Sequence, residues 1–281
     1  MDNKLEEIHF LKSKIKWEDL PSKIKMNFNC EEEKWKEFVM NYSVSYQLTY
    51  KGNLVNYYVP KEETYYRNLV THSCSNLLLY PYHLQSKIVR LFNITPFTYY
   101  CDLLEDQLFK EKSYDAIPNF TAIDCLQLLD IGRNQYIDLM TKHRSNKPWS
   151  LKKKSVRHML PKTAKIWESW EQWWIAKVGS VLVSDFEECT PVEKKIIDEL
   201  IDKNGVICGQ FDKKKILDLF SKNLIIFDVP ISDEDQFIIP KLKNFVMNRV
   251  QGDYMESLLY KIFVSLDENT LLPDVIKPAS F

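Results

Sequence analysis

The sequence predicts a mainly α-helical protein, in which an N-terminal helical unit with a helix-turn-helix is followed by a winged-helix-like unit with a small β-hairpin. Three observations carry this. Apolar residues recur at three- and four-residue spacing through most of the chain, residues 120–144 read as two short helices around a tight turn, and Thr190-Pro191-Val192-Glu193 is a strong helix start ahead of short β-branched runs.

Residues 1–115 are rich in helix formers, with breaks at 19–21, 51–53, Pro60, Tyr80-Pro81 and Thr95-Pro96, and five helices fit between them. Residues 31–50 place Trp35, Phe38, Val39, Tyr42 and Tyr46 on one side, and residues 61–79 repeat the pattern with Tyr65 and Leu69. Thr95 caps a helix with Pro96 at its first position and Tyr99, Tyr100, Leu103, Leu104 and Leu108 inward.

In the helix-turn-helix, Thr121 reads as an N-cap with Asp124 three residues on. Ala122, Cys125, Leu126, Leu128 and Leu129 follow as the apolar side. Gly132 is the expected site of a backbone angle that other residues avoid. Arg133 then opens a second helix that buries Tyr136, Ile137 and Met140. Nucleic-acid readers and protein-interaction modules both use this shape, so it does not decide function.

No acidic residue occurs from 139 to 167, where Lys142, Arg144, Lys147, Lys152, Lys153, Lys154, Arg157, Lys162 and Lys165 supply nine positive charges. Such a run is either a solvated connector or a surface for an acidic partner. Residues 165–178 read as a helix with Trp167, Trp170 and Trp174 on one face. Beyond it, Thr190, Pro191 and Glu193 combine an N-cap, a first-turn proline and a capping-box acid. The helix they start buries Val192, Ile196, Ile197, Leu200 and Ile201 and ends at Asn204-Gly205. Asp212 caps a helix with Ile216, Leu217, Leu219 and Phe220; residues 224–229 and 237–239 form a hairpin whose tip carries Asp233, Glu234 and Asp235. Residues 254–264 are a further helix, and prolines 273 and 278 predict an irregular tail after Thr270. The expected domains are 1–145, the helical unit; 146–189, the basic connector and Trp-rich helix; 190–243, the winged-helix-like unit; and 244–281, a C-terminal helix and tail.

Composition narrows the function classes. With 45% hydrophobic and 27% charged residues the chain is an ordinary globular one, and its net charge of -1 supplies no global field for DNA or an anionic membrane. Its six glycines are too dispersed for a phosphate-cradling loop. The six cysteines, at 30, 74, 101, 125, 189 and 208, form no CxxC and pair with no nearby histidines, so reduced thiols are expected and no metal site. The five histidines are scattered, no catalytic motif occurs, and no catalytic residue or cofactor is assigned. The N-terminus lacks a signal-peptide core, and no apolar run approaches membrane-spanning length, so a cytoplasmic protein without direct membrane insertion is expected.

Five strings carry a family resemblance: LLLYPYHL at 77–84, NITPFTYY at 93–100, EKSYDAIPNFTAIDCLQLLDIGRNQYIDLM at 111–140, DVPISD at 228–233 and NFVMNRVQGDYMESLLYKIFVSLDENT at 244–270. In order and over most of the chain, they resemble the N-terminal domain of the proteins called family with sequence similarity 91. The resemblance implies a non-enzymatic adaptor in the capture of endosome-derived vesicles, peripheral at the trans-Golgi network and on cytoplasmic vesicles. The implied partners are a TBC-domain protein that bridges to golgins and a complex with a WD40-repeat scaffold. Family members continue into a large C-terminal region, so this chain is expected to be a fragment or a truncated product. The resemblance supplies no partner-binding residues. From the residues alone, the candidates are Arg133, Asn134 and Tyr136 near the turn and Lys152, Lys153, Lys154 and Arg157 in the basic run. The rival expectation is a winged-helix nucleic-acid-binding protein, favoured by Arg133-Asn134-Gln135 at the start of a recognition-type helix and opposed by Asp138, the acidic wing and the near-neutral charge.

Overall fold

A computed structural model describes residues 2–145, 156–165, 171–179, 181, 183–222, 224–238, 243–248, 254–267 and 269–279. The chain divides into two compact units, Met1–Asn76 and Leu77–Phe281. The divisions expected at 145, 189 and 243 all fall within the second.

In the first unit, helices α1 (Asp2–Lys12), α2 (Ser22–Asn27), α3 (Glu32–Ser45), α4 (Val55–Tyr58) and α5 (Glu62–Ser75) surround one core. Trp35 and Val39, one turn apart on α3, and Tyr65 and Leu69, one turn apart on α5, are all fully buried. Phe38, Tyr42 and Tyr46 are only half-buried, because α3 turns its Ser43 and Val44 flank inward instead. The Tyr65 hydroxyl donates to the Leu48 carbonyl at 2.6 Å and the Ser43 carbonyl at 3.2 Å, satisfying acceptors at and beyond the end of α3.

The second unit opens with α6 (Gln85–Phe92), which ends on a left-handed Asn93, and α7 (Pro96–Phe109), capped as expected by Thr95 accepting from the Thr98 amide at 3.2 Å. All five residues expected on the inner side of α7 are buried. Helices α8 (Asn119–Leu129) and α9 (Arg133–Ser145) form the helix-turn-helix.

Two details of that motif differ from expectation. Helix α8 begins two residues before Thr121, whose buried hydroxyl donates instead to the Leu77 carbonyl at 2.8 Å. The left-handed residue of the turn is Asp130, φ 57°, and not Gly132. Aspartate tolerates that region because its short side chain bonds locally. Gly132 instead sits in a tight place: a Cβ there would meet the Asn244 carbonyl oxygen and Gln135 Oε1, each at 3.2 Å, so those neighbours would have to give by a few tenths of an ångström.

Strand β1 (Ile175–Val178), helix α10 (Val183–Glu188), α11 (Pro191–Asp202), β2 (Val206–Ile207), α12 (Lys213–Ser221) and β3 (Ile225–Asp228) follow. The strands form an antiparallel sheet in the order β2-β1-β3, with Ala176 opposite both Val206 and Phe227. The central strand occupies the end of the expected Trp-rich helix. Trp174 packs partly buried against the core formed by Ala176, Ile197, Leu200, Ile216, Leu219 and Ile225, whereas Trp173 is 51% exposed. Trp167 and Trp170 lie outside the described residues. Segment 175–178 alternates sides in a strand, and pairing on both flanks outweighs its weak helical pattern.

The expected hairpin is also corrected. β3 pairs with β1; Phe237 and Ile238 lie in no strand, Gln236 forms an isolated bridge with Leu271, and Ile239 lies outside the described residues. The start of α11 matches expectation in full: the Thr190 side chain accepts from the Glu193 amide, and Glu193 Oε2 accepts from the Thr190 amide at 2.8 Å. Lys222 adds an ion pair to Glu193 at 2.5 Å, and this bond above all holds the carboxyl down at about 2. Val192 and Ile201, however, are 54% and 57% exposed, so the buried stripe of α11 is confined to Ile196, Ile197 and Leu200.

The chain ends in α13 (Tyr254–Ser265) and α14 (Leu272–Ala279). The expected irregular tail is a helix because Pro273 falls in its first turn, where the amide that proline lacks would be unbonded anyway.

Helix α13 also supplies the missing cap of α8. Pro118 precedes that helix and offers no side-chain acceptor. In its place Glu256 Oε2 accepts from the Asn119 amide at 2.9 Å, and Oε1 accepts from Asn119 Nδ2 at 2.5 Å. Asn119 Oδ1 in turn accepts from the Asn248 amide, and Asn248 Nδ2 donates to the carbonyls of Tyr114 at 3.1 Å and Ile117 at 2.8 Å. All three polar side chains are buried. Removal of Glu256 leaves a buried amide donor unsatisfied at the positive end of a helix dipole. Glu256→Ala is therefore expected to lower unfolding stability by about 2–3 kcal/mol, read from urea midpoints, with Glu256→Gln losing less. A shift under a few tenths of a kcal/mol for Glu256→Ala would refute the trans-cap.

Candidate functional site

The outer face of α9 carries a concave surface that includes two of the sequence-predicted residues. A cavity of about 290 Å³ is lined by residues 111–115 and, along α9, by Arg133, Tyr136, Ile137, Met140, Thr141 and Arg144. Local sequence builds it. The side chains at 133, 136, 137, 140 and 144 recur at helical spacing and share one stripe of α9. Segment 111–115 is held against that stripe by the Tyr136 hydroxyl, which donates to the Lys112 carbonyl at 2.8 Å.

Tyr114, Tyr136 and Met140 form an apolar floor, at 4%, 2% and 7% exposure, and the Tyr114 and Tyr136 rings lie 5.4 Å apart. Ile137, expected in the core, is 47% exposed on the wall. Arg133 forms a two-pronged pair with Asp115 (Nη1 to Oδ1 2.7 Å, Nη2 to Oδ2 3.1 Å), and Arg144 Nε donates to Glu111 Oε2 at 3.2 Å.

The structure brings two of the seven sequence-predicted residues, Arg133 and Tyr136, into this cavity, and it gives them different parts. Arg133 is half-buried and held by Asp115, and Tyr136 is part of the floor, its ring inaccessible to a ligand except from the cavity side. Asn134 is exposed beside the cavity, and Gln135 is engaged at the turn, where its Oε1 accepts from the Gly132 amide at 3.2 Å. Arg157 sits elsewhere, paired with Asp102 at 2.5 Å and lying 3.8 Å from Glu105. Lys152, Lys153 and Lys154 lie outside the described residues. Sequence reasoning missed Ile137, Met140 and Arg144 as members of one surface. The three- and four-residue spacing from Arg133 was the available signal, but segment 111–115, which makes the surface concave, is a tertiary neighbour.

The described part of the basic run is largely neutralised. Besides Arg144 and Arg157, Lys165 pairs with Asp130 at 2.6 Å. Ion pairs of this exposed kind are worth little energetically, yet they remove most of the local field that a phosphate backbone would need.

A second cluster, beneath α8, has the marks of structure rather than chemistry. Asp124 Oδ2 accepts from Tyr100 at 2.5 Å and from Tyr82 at 3.0 Å. Burial raises its carboxyl to about 6 despite these two bonds, which pull the other way. Burial likewise pushes the Cys101 and Cys208 thiols up to about 11, so neither is a ready thiolate nucleophile. Among the described residues no group of three or more His, Cys, Asp or Glu side chains could hold a metal ion.

The fold and this surface define a mainly helical protein with a small antiparallel sheet and a shallow mixed-polarity groove on the second helix of a helix-turn-helix. A family model described as FAM91 N-terminus matches residues 10–277, and the chain belongs to the FAM91 family.

The Asp124 cluster fixes a pH dependence. Its folded-state value lies above the model-peptide value of 3.8, so its contribution is most favourable when protonated and is lost as pH rises through about 6. At full burial a shift of two units is worth about 2.7 kcal/mol, and partial exposure of the residue reduces this to roughly 1 kcal/mol. In urea titrations the protein is expected to lose about that much more stability than Asp124→Asn does as pH rises from below 3.8 to above about 6, the span between the unfolded and folded values. Parallel profiles for the two proteins would contradict the assignment.

Proposed function

We propose that this chain is the partner-binding N-terminal part of a non-enzymatic adaptor that captures endosome-derived vesicles at the trans-Golgi network. It engages a TBC-domain bridging protein and a complex with a WD40-repeat scaffold, and acts as a cytoplasmic, peripheral component without a cofactor. The observation that carries the reading is the family match across residues 10–277, together with what resemblance to that family implies. Two features are compatible with it. Among the described residues no helix is long and apolar enough to cross a membrane. The outer face of α9 offers a mixed apolar and charged surface, the composition that protein contacts use. Asn134 and the groove wall at Ile137 are the accessible candidates there, and the run from Lys152 to Arg157 remains a second candidate.

The nucleic-acid reading loses its main support in the side-chain pairing. Arg133, the leading base-reading candidate, spends both terminal nitrogens on Asp115, and Glu111 stands at the other end of the same groove. Asp233 and Glu234 are exposed beyond β3, with Asp235 half-buried beside them, and this acidic group repels phosphate.

Two measurements check these statements. Immobilised chain is expected to capture the purified TBC-domain partner, and absence of binding at tens of micromolar would sink the adaptor reading. Labelled duplex DNA is expected to show no affinity that falls steeply with salt; a slope of several units in log K against log salt concentration would revive the rival.

A further inference from the structure

We propose that the groove beside α9 seats a short acidic segment of a partner protein, an aliphatic or aromatic side chain flanked by Asp or Glu; this deepens the adaptor reading and rests on it. The size of the cavity sets the first limit. About 290 Å³ accommodates one or two side chains, and the floor of Tyr114, Tyr136 and Met140 with Ile137 at the wall requires that they be apolar.

Charge sets the second. The lining holds three cations, Lys112, Arg133 and Arg144, against two carboxylates, Glu111 and Asp115. Both carboxylates are already engaged by the arginines, so the rim has little spare capacity to accept hydrogen bonds from a basic ligand. Donors remain available. Arg144 is bonded only through Nε among the described residues, with a side chain 58% exposed, and exposed Lys112 has no ion-pair partner among them. Arginine in this state is suited to a second, two-pronged carboxylate contact.

Geometry sets the third. Arg133 and Arg144 are eleven residues apart on one helix, hence about 16 Å along its axis. About five residues of extended chain cover that distance. A peptide can place its carboxylates at the Lys112 and Arg144 end and its apolar side chain over Ile137. A nucleic acid is less suited, because its evenly repeated phosphates would also have to lie over the apolar wall at Ile137 and against Asp115 at the other end.

The test is fluorescence anisotropy of the intact chain with labelled nonapeptides, in which a central pair drawn from Leu, Ile, Phe and Trp is flanked by Asp and Glu. Charge-reversed peptides and peptides with a serine pair serve as controls. Binding of at least one acidic, apolar peptide is expected below about 1 mM, and at least tenfold tighter than either control. Arg144→Glu and Ile137→Asp are expected to weaken it at least tenfold, and Asp138→Asn, on the same helix outside the lining, to leave it unchanged. If Ile137→Asp lowers the melting temperature, Lys112→Glu on the exposed turn carries the test in its place. No binding at about 1 mM, equal binding of the charge-reversed peptide, or unaltered binding by Arg144→Glu would overturn the proposal. The TBC-domain capture is run in parallel on the same variants. Capture that survives them leaves the adaptor reading standing and removes the groove; no capture by the unaltered chain removes the reading itself.

Discussion

Helix α8 begins behind Pro118, which has no side-chain oxygen to offer the free amides of a first turn, and the carboxylate that satisfies the Asn119 amide comes from Glu256, 137 residues away. The arrangement of segment 111–115 and α9 in the second unit depends on that contact. Asn119 is bound through its amide, its Nδ2 and its Oδ1, so its position is over-determined; Asn248 extends the same network to the carbonyls of Tyr114 and Ile117. The segment that walls the α9 groove and the helix that precedes α9 are thereby fixed to one another. Within this buried network every donor of Asn119 and Asn248 finds an acceptor, while Asn248 Oδ1 is left without a partner among the described residues.

The other face of α8 is held by a more costly arrangement. Asp124 sits against Tyr100 and Tyr82, and burial opposes its charge while the two hydroxyl bonds support it. The pair of clusters leaves α8 little freedom: Thr121 is tied to the Leu77 carbonyl between them. Helix α9, by contrast, keeps its outer stripe open, with Ile137 half-exposed and its arginines in rim ion pairs that are cheap to rearrange. A rigid first helix carrying an accessible second helix suits a surface that meets partners without reshaping.

Several elements were legible from local chemistry. Thr95-Pro96 and Thr190-Pro191 with Glu193 cap their helices as read, and the inward residues of α7 are those that spacing picked out. Each of these rests on atoms within one turn of each other. Three failures involve partners far along the chain. Segment 175–178 became a strand because 206–207 and 225–228 flank it, and Ile137 stayed at the surface because segment 111–115 arches beside it instead of over it. Asp124 reads as a capping acid only while Tyr100 and Tyr82 are out of view.

The sequence by itself determined that the chain is mainly helical, where α7, α11 and α12 begin, and, through five long strings, the family to which it belongs. Those features are local or linear: caps act within a turn, and a family signature is a string. Tertiary structure alone decided that α8 is capped by Glu256, that β1 lies at the centre of the sheet, and that Arg133, held by Asp115 through both terminal nitrogens, and Arg144 frame one groove. Hydrogen-bond satisfaction and ion pairing between distant residues settled each case, and no window of sequence contains both partners.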